Sequence, residues 1–171
     1  MSKLTVFFKR DRNCRGLRAI SILKQQPEPE SLYLALLGKG LIHWELGEEL
    51  IALENINLSI DANPNFATAF HNKAWLLMDL ERYEEALNAI EKAIAIEKQN
   101  ANYYAIKGQI LASLEQYRAA ETAYTKAIAL SPCADLHNIR GLINFKHKNG
   151  TRLKPTILKQ LQPILNTSLL M

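Results

Sequence analysis

Long apolar runs are missing from this chain: none approaches the roughly 18 residues that a membrane-crossing helix needs. The only early apolar stretch, Leu4-Thr5-Val6-Phe7-Phe8, is shorter than the roughly 7 to 15 residues of a secretory h-region, and Lys9-Arg10-Asp11-Arg12 follows it at once. The expectation is a soluble, cytoplasmic protein with no membrane span. Cysteine is scarce too. Cys14 and Cys133 are the only two of the 171 residues, far apart and without CxxC or His-paired spacing, which suits reduced, small apolar fillers better than a bridge.

The residue patterns of chemistry are absent as well. His43, His71, His137 and His147 form no His-Glu-x-x-His set, and His43-Trp44-Glu45 reads as packing and exposed surface rather than a metal site. Gly38-Lys39-Gly40 lacks the spacing of a phosphate loop. Glu84, Glu85, Glu91 and Glu97 with Lys92 and Lys98 read as an ordinary solvated helix face. No catalytic residue, metal or cofactor is expected, and the chain reads as a non-enzyme.

What is present is a period. Thirty-four residues separate Tyr83 from Tyr117, Ala86 from Ala120, Ala93 from Ala127 and Leu80 from Leu114. A fixed period of this length is the mark of stacked helical hairpins, because each unit has an apolar face that only its neighbour can cover. Apolar residues recur at helical spacing within it, as Leu77, Leu80, Ala86, Leu87, Ile90, Ala93, Ile94 and Ile96 do. One period earlier, Tyr33 to Phe66 carries Leu36, Gly40, Gly47, Ala52, Ile56, Ile60 and Pro64 at equivalent places.

Small residues define the geometry. Gly40, Ala74 and Gly108 fall in the first helix of each unit, and Ala52, Ala86 and Ala120 in the second, where a larger side chain would hold the helices apart. The turn between them closes in two to three residues at Leu46-Gly47, Leu80-Glu81 and Leu114-Glu115, with Gly47 free to adopt a left-handed C-cap. Pro64 and Pro132 end the second helices of units one and three; Lys98 stands there in unit two.

These residues resemble the tetratricopeptide repeat, over about three fifths of the chain, from Tyr33 to Ala134. Unit one departs from the pattern with Glu49 in place of the turn tyrosine and Ser59 in place of Ala93 and Ala127. The resemblance implies an all-α fold, an α-solenoid of antiparallel helix pairs. Its divisions are a basic N-terminal segment and capping helix at 1–30, three units within 31–134 (33–66, 67–100 and 101–134), and a degenerate closing hairpin or basic tail at 135–171. Leu17, Ala19, Ile20, Ile22 and Leu23 supply the cap; Leu136, Ile139, Gly141, Leu142, Ile143 and Phe145 suggest the first helix of a fourth unit.

Charge follows the same divisions. Residues 1–24 carry seven Lys or Arg against Asp11, net +6; residues 25–134 are net −7; residues 135–171 are net +5. The basic residues are dispersed among apolar ones without aromatic interleaving, which favours solvated faces over nucleic-acid binding. The ends could equally pair with the acidic array of the same or another copy.

The resemblance further implies a concave groove lined by the first helices, receiving an unidentified protein or peptide. Transferred by unit position, it comprises Leu37, Leu41 and Trp44, then His71, Asn72, Trp75, Met78 and Asp79, then Asn102 and Gln109. Apolar anchors beside amides suit a short hydrophobic segment. The same stripe could instead be covered by the chain's own N-terminus, as in a structural or self-associating module, and both readings stay open. Family members that hold a chaperone C-terminal tail use two Lys, two Asn and an Arg, whereas the matching positions are Leu37, Leu41, Asn72, Asn102 and Ile106. Only Asn72 fits, which argues against a chaperone tail.

Overall fold

The computed structural model describes residues 31–132 and 134–149. They form seven α-helices and no strand: α1 (Leu32–Glu45), α2 (Glu49–Ala62), α3 (Ala67–Asp79), α4 (Tyr83–Ile96), α5 (Ala101–Ser113), α6 (Tyr117–Leu130) and α7 (Ala134–Asn149). The helix bounds repeat as the sequence does: α2, α4 and α6 start at 49, 83 and 117, and α1, α3 and α5 end at 45, 79 and 113. The chain falls into two compact units, the first ending at Leu76 and the second beginning at Leu77. The cap expected within 1–30 and the closing segment beyond Asn149 lie outside the described residues.

One turn chemistry joins each first helix to its second. Gly47, Glu81 and Glu115 all have positive φ, at 79°, 60° and 62°. Their amides bond back to Trp44, Met78 and Ala112, and the amides of the following residues, Glu48, Arg82 and Gln116, reach the carbonyls of His43, Leu77 and Leu111. Both bonds together make a Schellman cap, which satisfies carbonyls that the helix end would leave orphaned. Glycine reaches this conformation freely; the two glutamates adopt it against a steric cost.

The second helices stop alike. Asn63, Glu97 and Ser131 are in non-helical conformations with φ of −144°, −121° and −146°. Pro64 and Pro132 dictate this for their preceding residues. At Glu97, with no proline after it, the hydroxyl of Tyr103 donates to Glu97 Oε2 at 3.1 Å, and Asn100 Oδ1 caps α5 by accepting the Asn102 amide at 3.1 Å.

In the first unit, α1 packs along α2. A Cβ on Gly40 would lie 2.9 Å from Ile56 Cγ1 and 3.0 Å from the Ala52 carbonyl oxygen, so only glycine permits this approach. Ser59 is fully buried, and its hydroxyl donates to the Tyr33 carbonyl at 2.6 Å. The departure from alanine thus ties the C-terminal half of α2 to the first turn of α1, where the Tyr33 ring meets Phe66 edge-on at 4.7 Å.

In the second unit α5 packs against α4 and α6, and α6 against α7. Ala105, Leu111, Ala112, Ala120, Ala123, Tyr124 and Ala127 join Leu136, Ile139 and Ile143 in one core. The face of α7 expected from the apolar pattern is therefore present at those three positions. Gly141 and Leu142 differ: no atom lies within 4 Å of a Cβ placed on Gly141, and Leu142 is exposed. Gly141 is not a helix-crossing position among the described residues.

Candidate functional site

The first helix of each repeat presents the side chains that could meet a partner. In the first unit, Leu37 of α1 is buried, while Leu41 and Trp44 are half-buried. On α3, Trp75 is buried and its indole Nε1–H donates to His71 Nε2 at 3.1 Å, with the two rings nearly perpendicular. An acceptor Nε2 places the imidazole proton on Nδ1 in the neutral ring. Burial pushes the His71 pKa down from 6.5 to about 4, so the ring is neutral near pH 7. Asn72, half-buried, turns its Nδ2 back onto the Thr68 carbonyl at 2.7 Å.

In the second unit Met78 and Gln109 are buried, Asn102 is half-buried and Asp79 is exposed. The accessible members of the expected groove set are therefore Leu41, Trp44, His71, Asn72, Asp79 and Asn102. Leu37, Trp75, Met78 and Gln109 sit in the protein interior instead. Side chains on a helix lean back over the preceding turn, so positions sharing a nominal face differ in exposure, and spacing alone does not separate them. Of the ten, His71 and Trp75 are joined directly.

Ionic contacts lie elsewhere. His43 Nδ1 approaches Glu48 Oε2 at 2.5 Å across the first turn, Arg82 pairs with Glu85, and Lys107 Nζ meets Glu91 Oε1 at 2.7 Å between α5 and α4. Among the described residues no group of three His, Cys, Asp or Glu side chains could hold a metal ion, and no helix is long and apolar enough to cross a membrane.

Helices repeating at 34 residues, with Gly40 and Gly108 at close helix contacts and a left-handed residue in each turn, define an α-helical repeat protein. The chain belongs to the tetratricopeptide repeat family. Tetratricopeptide repeat profiles match residues 67–100 and 101–132. An uncharacterized protein of Methanocaldococcus jannaschii is 40% identical over 60 residues, covering 35% of this chain and 70% of that one. Among solved structures, the first TPR domain of Spaghetti (RPAP3) bound to HSP90 peptide SRMEEVD superposes with a TM-score of 0.66 at 20% identity, covering 68% of this chain and 94% of that one. MamA, residues 41 to the end, from Desulfovibrio magneticus RS-1 does so with a TM-score of 0.64 at 21% identity over 98% and 96% of the two chains.

The fold is thus that of a protein-interaction scaffold, a module that is generally non-catalytic. The expected exclusion of a chaperone tail is not borne out: a structure sharing this fold holds an HSP90 peptide. Leu37, Leu41, Asn72, Asn102 and Ile106 are side chains at five positions, and their identities alone do not decide which peptide such a fold holds.

Proposed function

We propose that this chain is a non-catalytic binding module that takes a short peptide or a partner helix on the first helices of its repeats. In the first unit, Leu41 and Trp44 supply the apolar anchor, and His71 and Asn72 supply hydrogen-bonding groups that orient the ligand backbone. The observation that carries this reading is the partial exposure of Trp44. The third repeat manages with Ala112 in the same column, so packing of the repeat does not require an indole there. A rigid aromatic left half open on an interaction scaffold is the usual form of an anchor residue.

Selection of peptides from a random display library on the full chain tests it. With only two tryptophans present, ligand binding is read directly from indole fluorescence. Trp44→Ala is expected to weaken the selected peptides by at least about tenfold, as loss of an anchor does, with an unchanged melting curve. Equal binding by wild type and Trp44→Ala would remove Trp44 from the site.

A further inference from the structure

The outer face of α2 differs from the same face of α4 and α6. Ala52, Ile56 and Ser59 turn toward α1, where Gly40 and Tyr33 meet them. On the opposite side, Leu50, Ile51, Glu54, Leu58 and Asp61 follow one another at helical spacing and form one stripe. Leu50 is 77% exposed, Ile51 43% and Leu58 45%. One period later these positions are Glu84, Glu85, Asn88, Lys92 and Ala95; two periods later they are Arg118, Ala119, Thr122, Lys126 and Ala129, every one exposed. The hairpin geometry is therefore met by charged side chains, or by alanine at position 119, where α2 places leucine and isoleucine.

The stripe also carries charge of one sign. From residue 45 to residue 66 there are Glu45, Glu48, Glu49, Glu54 and Asp61, and no Lys or Arg. An apolar strip on a helix whose only charged side chains are carboxylates fits a ligand that is itself apolar and cationic.

We propose that the outer face of α2 docks the chain's own N-terminal segment, residues 1–24. That segment carries seven Lys or Arg against Asp11, interspersed with apolar residues such as Phe7, Phe8, Ile20 and Leu23. The connection suits it. The first turn of α1 lies beside the C-terminal end of α2, as the bond from Ser59 to Tyr33 and the contact of Tyr33 with Phe66 show. The chain enters at Ser31 next to that end, and residues 25–30 span up to about 20 Å when extended. The stripe from Leu58 to Leu50 is about 12 Å long at 1.5 Å per residue. A short tether gives the segment an effective concentration in the millimolar range, ahead of an equivalent segment from a second copy. The residues involved are not those of the proposed partner-binding face, so either reading can fail alone.

The test uses the full chain with Cys133→Ser and a nitroxide on Cys14, with methyl-labelled leucine and isoleucine. The expected result is selective loss of the Leu50, Ile51 and Leu58 methyl signals, unchanged on dilution. The loss is relieved by Glu54→Lys with Asp61→Lys, and restored when Arg10→Glu, Arg12→Glu and Arg15→Glu are added to that variant. Unchanged methyl signals would overturn the proposal, as would loss that persists in the lysine variant. Loss seen only when nitroxide-bearing and isotope-labelled chains are mixed would assign the stripe to a second copy and equally overturn it. Circular dichroism of each variant separates these outcomes from unfolding.

Discussion

The ring of Tyr124 lies against the α-carbon of Gly108: a Cβ there would stand 2.8 Å from Cε2 and 2.9 Å from Cδ2 and Cζ. Tyr124 is fully buried and shares the core with residues of α5 and α7, so the ring has little room to withdraw. Gly108→Ala is expected to cost about 1 to 3 kcal/mol by overpacking, in spite of the roughly 1 kcal/mol that alanine gains over glycine in helix propensity. One period earlier the sequence has Ala74 and Ile90 at these positions. Combining Gly108→Ala with Tyr124→Ile should therefore cost less than the sum of the single changes, by about 1 kcal/mol in a urea double-mutant cycle. Additive costs would show that the ring is not what excludes the methyl group.

The left-handed turns differ in their residue and share their conformation. Glu115→Gly should stabilise the chain by about 0.5 to 1 kcal/mol, because glycine removes the cost of positive φ. Gly47→Ala should do the reverse by about 1 kcal/mol. Thermal denaturation of the two variants reads both signs, and a destabilised Glu115→Gly chain would mean that the glutamate side chain contributes more than its backbone costs.

Ser59→Ala tests the bond to the Tyr33 carbonyl. The alanine found one and two periods later shows that the space accepts a methyl group, so the expected loss is that of one buried hydrogen bond, about 0.5 to 1.5 kcal/mol. Hydrogen exchange should quicken first in the early turns of α1. A neutral substitution would assign the hydroxyl no role in joining the helices.

Stability should depend on pH through His71. Its imidazole ionises near 6.5 in the unfolded chain but only at about 4 in the folded one, so between these values the unfolded state binds more protons. Stability is full above about pH 6.5, falls as pH drops toward 4, and levels off below, with an upper limit of about 3 kcal/mol. The difference in urea midpoint between wild type and His71→Phe should follow that curve. A difference independent of pH would contradict an imidazole held neutral by the fold.

Fold class was legible in the sequence because a 34-residue period repeats every determinant of a helical hairpin: small residues at the crossings, a turn residue, and an end signal. Gly40 and Gly108 are at contacts where a Cβ does not fit, and Gly47 is left-handed. Gly141 looked alike in pattern and lies open among the described residues. The site was less legible. Leu41 and Trp75 share a column of the repeat, as do Trp44 and Met78, yet Trp75 and Met78 are interior and the other two half-buried.

The order of residues by itself determined the helices, their lengths and the points where they turn, since these depend on local spacing, capping and backbone freedom within a few residues of each other. Tertiary structure alone decided which apolar side chains are consumed by packing and which stay open to water. Exposure depends on what lies across from a residue, and for Trp44, Leu50 and Leu58 no neighbour along the chain specifies that.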